Sequence, residues 1–200
     1  MMLPTHVLIG GLSALSISAL VSQPQTWLII VGMTAAILPD LDIFIEHRKT
    51  LHRPKEYIIG LGLFSSIFFL NGSSLSLYLT VFFLGLISHI ILDLLAYGKT
   101  MNPDLKEDGR CMYDHLSSKW IKPLKIAKPG SKKDLILGTI ASIPLLLTEN
   151  TIIIYISISN IVIGTLFVYM MEWITENLLS DYDRFSEAIQ QKIGLGPEVA

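Results

Sequence analysis

The chain has 200 residues, 51% of them hydrophobic and 16% charged, and its mean hydropathy is positive at +0.55. So much apolar surface with so few charges excludes an ordinary soluble domain and reads as an integral membrane protein. A formal net charge of −2 gives no basic excess for nucleic acid, and one cysteine, Cys111, excludes a disulfide framework and a cysteine-built zinc site.

A membrane-spanning helix needs about 20 apolar residues, with a range of roughly 17–25. Leu3–Val21 has no basic stretch ahead of it, which predicts a retained first span rather than a cleaved signal peptide. After a turn at Ser22–Gln25, the second run is Thr26–Ile45, where Pro39 disfavours helix at Leu38 and predicts a kink or a helix end. Tyr57–Leu70 is a short third candidate, and Leu75–Ala96 a fourth of full length. Leu135–Thr148 is a short fifth, interrupted by Pro144, and Thr151–Met171 is the sixth. The predicted fold class is all-α: a polytopic membrane helical bundle of about six spans, two of them short or irregular. It forms one membrane domain, 1–178, with a polar loop, 97–134, and a tail, 179–200, that has Phe185, Ile189 and Ile193 at helical spacing.

Charge supports six spans. All 15 Lys and Arg fall on one side once the spans alternate. Arg48, Lys49, Arg53 and Lys55 lie between spans two and three, nine more between Lys99 and Lys133, and Arg184 and Lys192 in the tail. The positive-inside rule then predicts a multi-pass protein of the cell membrane, inner or plasma, with both termini cytoplasmic. The loop 97–134, basic with Tyr113 and Trp120 interleaved, suits a cover on anionic headgroups better than a nucleic-acid site.

Ionisable residues interrupt two of the apolar runs. The string ILPDLD places Asp40 and Asp42 at the end of span two, and SHIILD places His89 and Asp93 near the end of span four. Such residues in a span are costly and point to function. His89 and Asp93, four apart, share a helix face and can reach one ion or two adjacent ions; a structural His–Asp pair is the plainer alternative. Asp40 and Asp42 would diverge on a regular helix, so an irregular backbone at Pro39 is needed to turn both to one site. His6, His47, His52 and His115 lie on the same side of the membrane by the same alternation. His47 and His115 read more simply as loop histidines, and His6 and His52 gain weight from their neighbours.

PTHVLIGG at the N-terminus, ILPDLD, the HR…LHR loop and SHIILDLLAYG resemble the YdjM-type membrane-bound metal-dependent hydrolases, over roughly the first half of the chain. That resemblance implies His6, Asp40, Asp42, His52, His89 and Asp93 as metal-site residues. The His-x-x-x-Asp spacing is also similar to the zinc-dependent phospholipase C and S1/P1 nuclease group, which cleaves phosphoesters with a metal cluster. No second His-x-x-x-Glu pair completes a three-metal site, because Glu172 and Glu176 have no accompanying histidine. One or two divalent ions are expected: zinc first, with manganese, iron or magnesium as alternatives.

A metal held by His and Asp acidifies water and stabilises charge on a phosphoryl group. The expected function is therefore a metal-dependent hydrolase of phosphoesters at the cytoplasmic membrane surface, with a lipid phosphate as candidate substrate. Asp40 or Asp42 would act as general base. Arg48 and Arg53 would clamp phosphate, although the positive-inside rule alone calls for basic residues there. The bilayer is the expected partner, and nucleic acid is not. The alternatives are a non-enzymatic ion-binding or transport protein, and a structural protein with a metal-stabilised fold.

Overall fold

The computed structural model describes residues 2–22, 25–45, 49–96 and 112–174. The tail 179–200 and the first part of the loop 97–134 lie outside them. Among the described residues six α-helices form: α1 (Leu3–Val21), α2 (Gln25–Ala35), α3 (Pro54–Asn71), α4 (Ser74–Leu95), α5 (Lys132–Leu146) and α6 (Thr151–Ile174). A 3-10 segment, Leu38–Phe44, follows α2, and two short strands, β1 (Met112–Asp114) and β2 (Lys119–Ile121), precede α5.

The ends of these elements follow from local chemistry. Prolines stand in the first turns of α1 and α3, where the missing N–H costs nothing. α3 ends at Gly72, whose φ of 64° lets its N–H reach back to Phe68 O. α3 is longer than the Tyr57–Leu70 run, because Lys55 and Glu56 occupy a polar first turn that a hydropathy window passes over. The Thr26–Ile45 run is not one helix. α2 stops at Ala35, and the chain tightens into 3-10 geometry around Pro39. In α5, Pro144 is accommodated near the helix end.

Three helices, α1, α4 and α6, are long and apolar enough to cross a membrane. α6 turns Ile152, Tyr155, Ile163, Leu166 and Trp173 outward, the surface expected where the solvent is lipid. α1 lies centrally and contacts α2, α4, α5 and α6. Leu8, Leu28, Ile29, Val81, Leu145 and Ile153 fill the core around it.

α1, α2 and α4 meet at glycines. A β-carbon on Gly10 would stand 2.5 Å from Gly32 O, one on Gly32 would stand 2.6 Å from Gly10 O, and one on Gly85 would stand 2.6 Å from Gly32 O. Small residues let membrane helices approach backbone to backbone, which is how packing is gained where lipid removes the hydrophobic drive.

Asp134, fully buried, ties the start of α5 to the start of α1. Its Oδ2 accepts the Met2 N–H at 2.7 Å and the Gly130 N–H at 3.1 Å, and its Oδ1 accepts the Thr5 hydroxyl at 2.7 Å. Replacing it with alanine leaves three donors, two of them buried, without that acceptor, a loss on the order of 3 kcal/mol. Thermal unfolding in detergent should show Asp134→Ala melting several degrees lower, with Asp134→Asn intermediate; an unchanged midpoint would contradict the tie.

The β1–β2 hairpin is antiparallel, with Tyr113 opposite Trp120. It leans on α4 through Met112 and Ile90, and the segment after it caps the helix: Leu124 N–H reaches Leu94 O and Ile126 N–H reaches Leu95 O. Lys55 holds the hairpin from α3 by a 2.6 Å pair with Asp114. Lys55, then Ser117, hold that carboxyl at about 2, below the usual carboxylate range.

Candidate metal centre

Four parts of the chain bring ionisable side chains to one end of the bundle. α1 contributes His6, the 3-10 segment Asp40 and Asp42, the loop before α3 His52, and α4 His89 with Asp93. His6, Asp42, His52 and His89 are fully buried and Asp93 nearly so, while the Asp40 side chain keeps 32% of its surface exposed. The cluster therefore opens at Asp40.

Pro39 shapes this site as well as ending the helix. In a continuing helix, Ala36 O would accept the N–H of Asp40. Here Pro39 has no N–H to offer, and the Asp40 N–H goes to Ile37 O at 3.1 Å. Ala36 O is left for a side chain, and His89 Nδ1 donates to it at 2.8 Å. A ring that donates from Nδ1 presents the lone pair of its Nε2, so a backbone carbonyl fixes the tautomer of His89.

His52 is set in the same manner by a carboxylate. Its Nδ1 donates to Asp42 Oδ2 at 2.8 Å, and its Nε2 faces inward, 3.3 Å from Asp93 Oδ2. Burial disfavours a charged His52, yet Asp42 and then Asp93 outweigh burial and raise its pKa above the ordinary value. The site thus attracts positive charge.

The remaining distances describe a cage. His52 Nε2 and His89 Nε2 are 3.3 Å apart, and His89 Nε2 is 3.6 Å from both Asp93 Oδ2 and Asp40 Oδ1. The Asp40, His52, His89 and Asp93 donor atoms all lie within 4.8 Å of one another, so this group could hold a metal ion. Around a tetrahedral ion with bonds of about 2.1 Å, neighbouring donors are separated by roughly 3.4 Å. The inward-facing Nε2 atoms and the carboxylate oxygens make a site whose negative charge a cation balances. Geometry and donor chemistry both fit a divalent ion, and imidazole with carboxylate suits zinc, manganese or iron.

Asp42, expected from the sequence among the metal or catalytic residues, stands behind His52 and orients it. Carboxylates in that position raise the basicity of the histidine and typically contribute 10–100-fold in metal affinity. Asp42→Asn keeps the shape and removes the charge. It should weaken zinc binding by that factor in competition with a chromophoric chelator, and unchanged affinity would remove Asp42 from the centre.

His6 lies beside the four. Its ring stacks on that of His89, with centroids 3.9 Å apart and an 18° interplanar angle, and its Nε2 is 3.3 Å from Asp93 Oδ1. Arg53 is exposed, with its Nε donating to Thr50 O. Arg48 and His47 lie outside the described residues. His115 is taken up elsewhere, bonding to Lys49 O and packing edge-on to Tyr113, and Glu172 pairs with Lys132 at 3.1 Å; Glu176 is outside the described residues.

Sequence reasoning missed Ala36, because a carbonyl carries no residue signature. Pro39, three residues on, was the available signal. It also missed Asp134, whose role rests on contacts with Met2 and Thr5 more than a hundred residues away.

No curated protein and no solved structure matches the chain. A family match does exist, to the YdjM inner membrane proteins, and it spans residues 1–102. All six residues of the cluster fall within it, as do α1 to α4 and the glycines where they cross. The chain, a membrane protein with a candidate metal centre, belongs to the YdjM inner membrane protein family.

Proposed function

We propose that this protein is a metal-dependent hydrolase of phosphoesters that works at the cytoplasmic face of the inner membrane. The observation that carries the reading is the pair of inward-facing Nε2 atoms of His52 and His89, closed by Asp93 and Asp40. A divalent ion held there, zinc first, supplies Lewis acidity, acidifying water and neutralising charge on a phosphoryl oxygen.

The chain's own residues do the rest. Asp40, the one partly exposed member, stands at the opening and can accept a proton from an attacking water. Arg53 bonds Thr50 O through Nε and is exposed one residue from His52, where its guanidinium can meet a phosphate; Arg48 extends the same basic run in sequence. Leu41, Phe44 and Ile45 are exposed beside Asp40, an apolar flank that favours a substrate with a lipid tail.

In this reading the chain crosses six times, α2 together with the 3-10 segment making the second crossing and α3 and α5 two short ones, as one membrane domain over 1–178 with the loop 97–134 and tail 179–200 on the cytoplasmic side. Support comes from the ionisable side chains of the described helices, which gather at one end: His6, Lys55, Glu56, His89, Asp93, Lys132, Lys133, Asp134 and Glu172. The same distribution disfavours ion transport, since no acid, base or histidine continues a path to the other end of these helices. A test is turnover by detergent-purified protein on soluble and lipid phosphoesters. We expect hydrolysis of the lipid substrate, lost with a chelator and restored by zinc or manganese. Stoichiometric metal without turnover across the panel would instead favour a metal-stabilised structural role.

A further inference from the structure

Two buried ionisable side chains of the cluster, Asp42 and His6, stand outside the four-residue cage, and Asp42 is bonded to His52. Among the described residues neither ring nitrogen of His6 has a hydrogen-bond partner, although the ring is fully buried. An unsatisfied buried polar group costs free energy and calls for an unseen partner. Nε2 lies 3.3 Å from Asp93 Oδ1 without hydrogen-bond geometry, a separation suited to two donors on one ion.

The two oxygens of Asp93 face different rings. Oδ2 lies 3.3 Å from His52 and 3.6 Å from His89, whereas Oδ1 lies 3.3 Å from His6. The His6 and His89 rings run nearly parallel, 3.9 Å apart. Ions in two-metal sites are about 3.5–4 Å apart, so parallel imidazoles at this spacing suit adjacent ions bridged by one carboxylate. We infer that the centre is binuclear: the caged ion is joined by a second divalent cation held by His6 Nε2 and Asp93 Oδ1, with Asp93 bridging the two. This rests on the reading that Asp40, His52, His89 and Asp93 hold the first ion.

The experiment uses the full chain in detergent, loaded with Mn²⁺ and desalted. Elemental analysis should give two ions per chain, and electron paramagnetic resonance should show an exchange-coupled pair. His6→Phe keeps a ring against His89 but removes both nitrogens; it should retain one ion with an uncoupled six-line signal. His6→Asn, smaller and polar, guards against misfolding in the first variant and should give the same result. One ion in the wild type, or an intact coupled pair in both variants, overturns the second position while leaving the cage. No ion in the wild type removes the cage and the proposed hydrolase together.

Discussion

Asp93→Asn should purify without its metal. The carboxylate meets three histidines, with Oδ1 3.3 Å from His6 and Oδ2 3.3 Å from His52 and 3.6 Å from His89. Asparagine has nearly the same shape, so the loss is one of charge rather than of packing. Removing one partner from a buried charge cluster costs about 3–5 kcal/mol. Each 1.4 kcal/mol is about tenfold in affinity, so binding should fall by roughly two to four orders of magnitude. Elemental analysis of both proteins reads this directly. Added zinc should raise the thermal midpoint of the wild type and leave that of the variant unmoved, because a ligand stabilises only the state that binds it. A variant carrying as much metal as the wild type would falsify the centre.

The second large effect lies outside the site. Gly32 is pressed between α1 and α4, and a β-carbon there would stand 2.6 Å from both Gly10 O and Ala14 Cβ. One of the two obstacles is helix backbone, which cannot swing aside. Gly32→Val should therefore destabilise by about 3 kcal/mol or more, at the upper end of overpacking effects. Gly62 is the internal control, since a β-carbon there meets nothing within 4 Å. Gly62→Val should remain folded in detergent while Gly32→Val melts early or aggregates, and equal behaviour would refute the crossing. The damage should extend to the metal, because each crossing glycine lies four residues from a site residue: Gly10 from His6, Gly32 from Ala36, Gly85 from His89. At about 1.5 Å of rise per residue that is roughly one helical turn. Forcing the backbones apart at the glycines separates the donors too.

The parts of the site legible in the sequence are those written in side chains at short range. His89 and Asp93 are one helical turn apart, so their pairing follows from spacing alone. Pro39 signalled that Thr26–Ile45 would not run as one helix, and the 3-10 segment is what brings Asp40 to the cage and Asp42 to the back of His52. The division of labour between those two carboxylates was not legible. It depends on where the loop carrying His52 comes to rest, and no periodicity governs a loop. The role of Ala36 depends on an orphaned carbonyl, which every residue possesses. The order of the described helices was readable from hydropathy, but the bounds of α3 were not, since its first turn is polar. Glycine signals only permission: Gly62 and Gly32 look alike in sequence, and only packing separates an open position from a crossing point.

The tie between Asp134 and the start of α1 bears on how the protein is made. Every residue of the candidate centre has been synthesised by Asp93, yet His6 sits in the turn that Asp134 fastens through Met2 and Thr5. At roughly 5–20 residues per second, Asp134 follows Asp93 out of the ribosome by a few seconds. During that interval α1 to α4 carry all the donors with the end of α1 unfastened. A chain halted before the fifth helix would carry these donors without the clasp that Asp134 supplies to the start of α1.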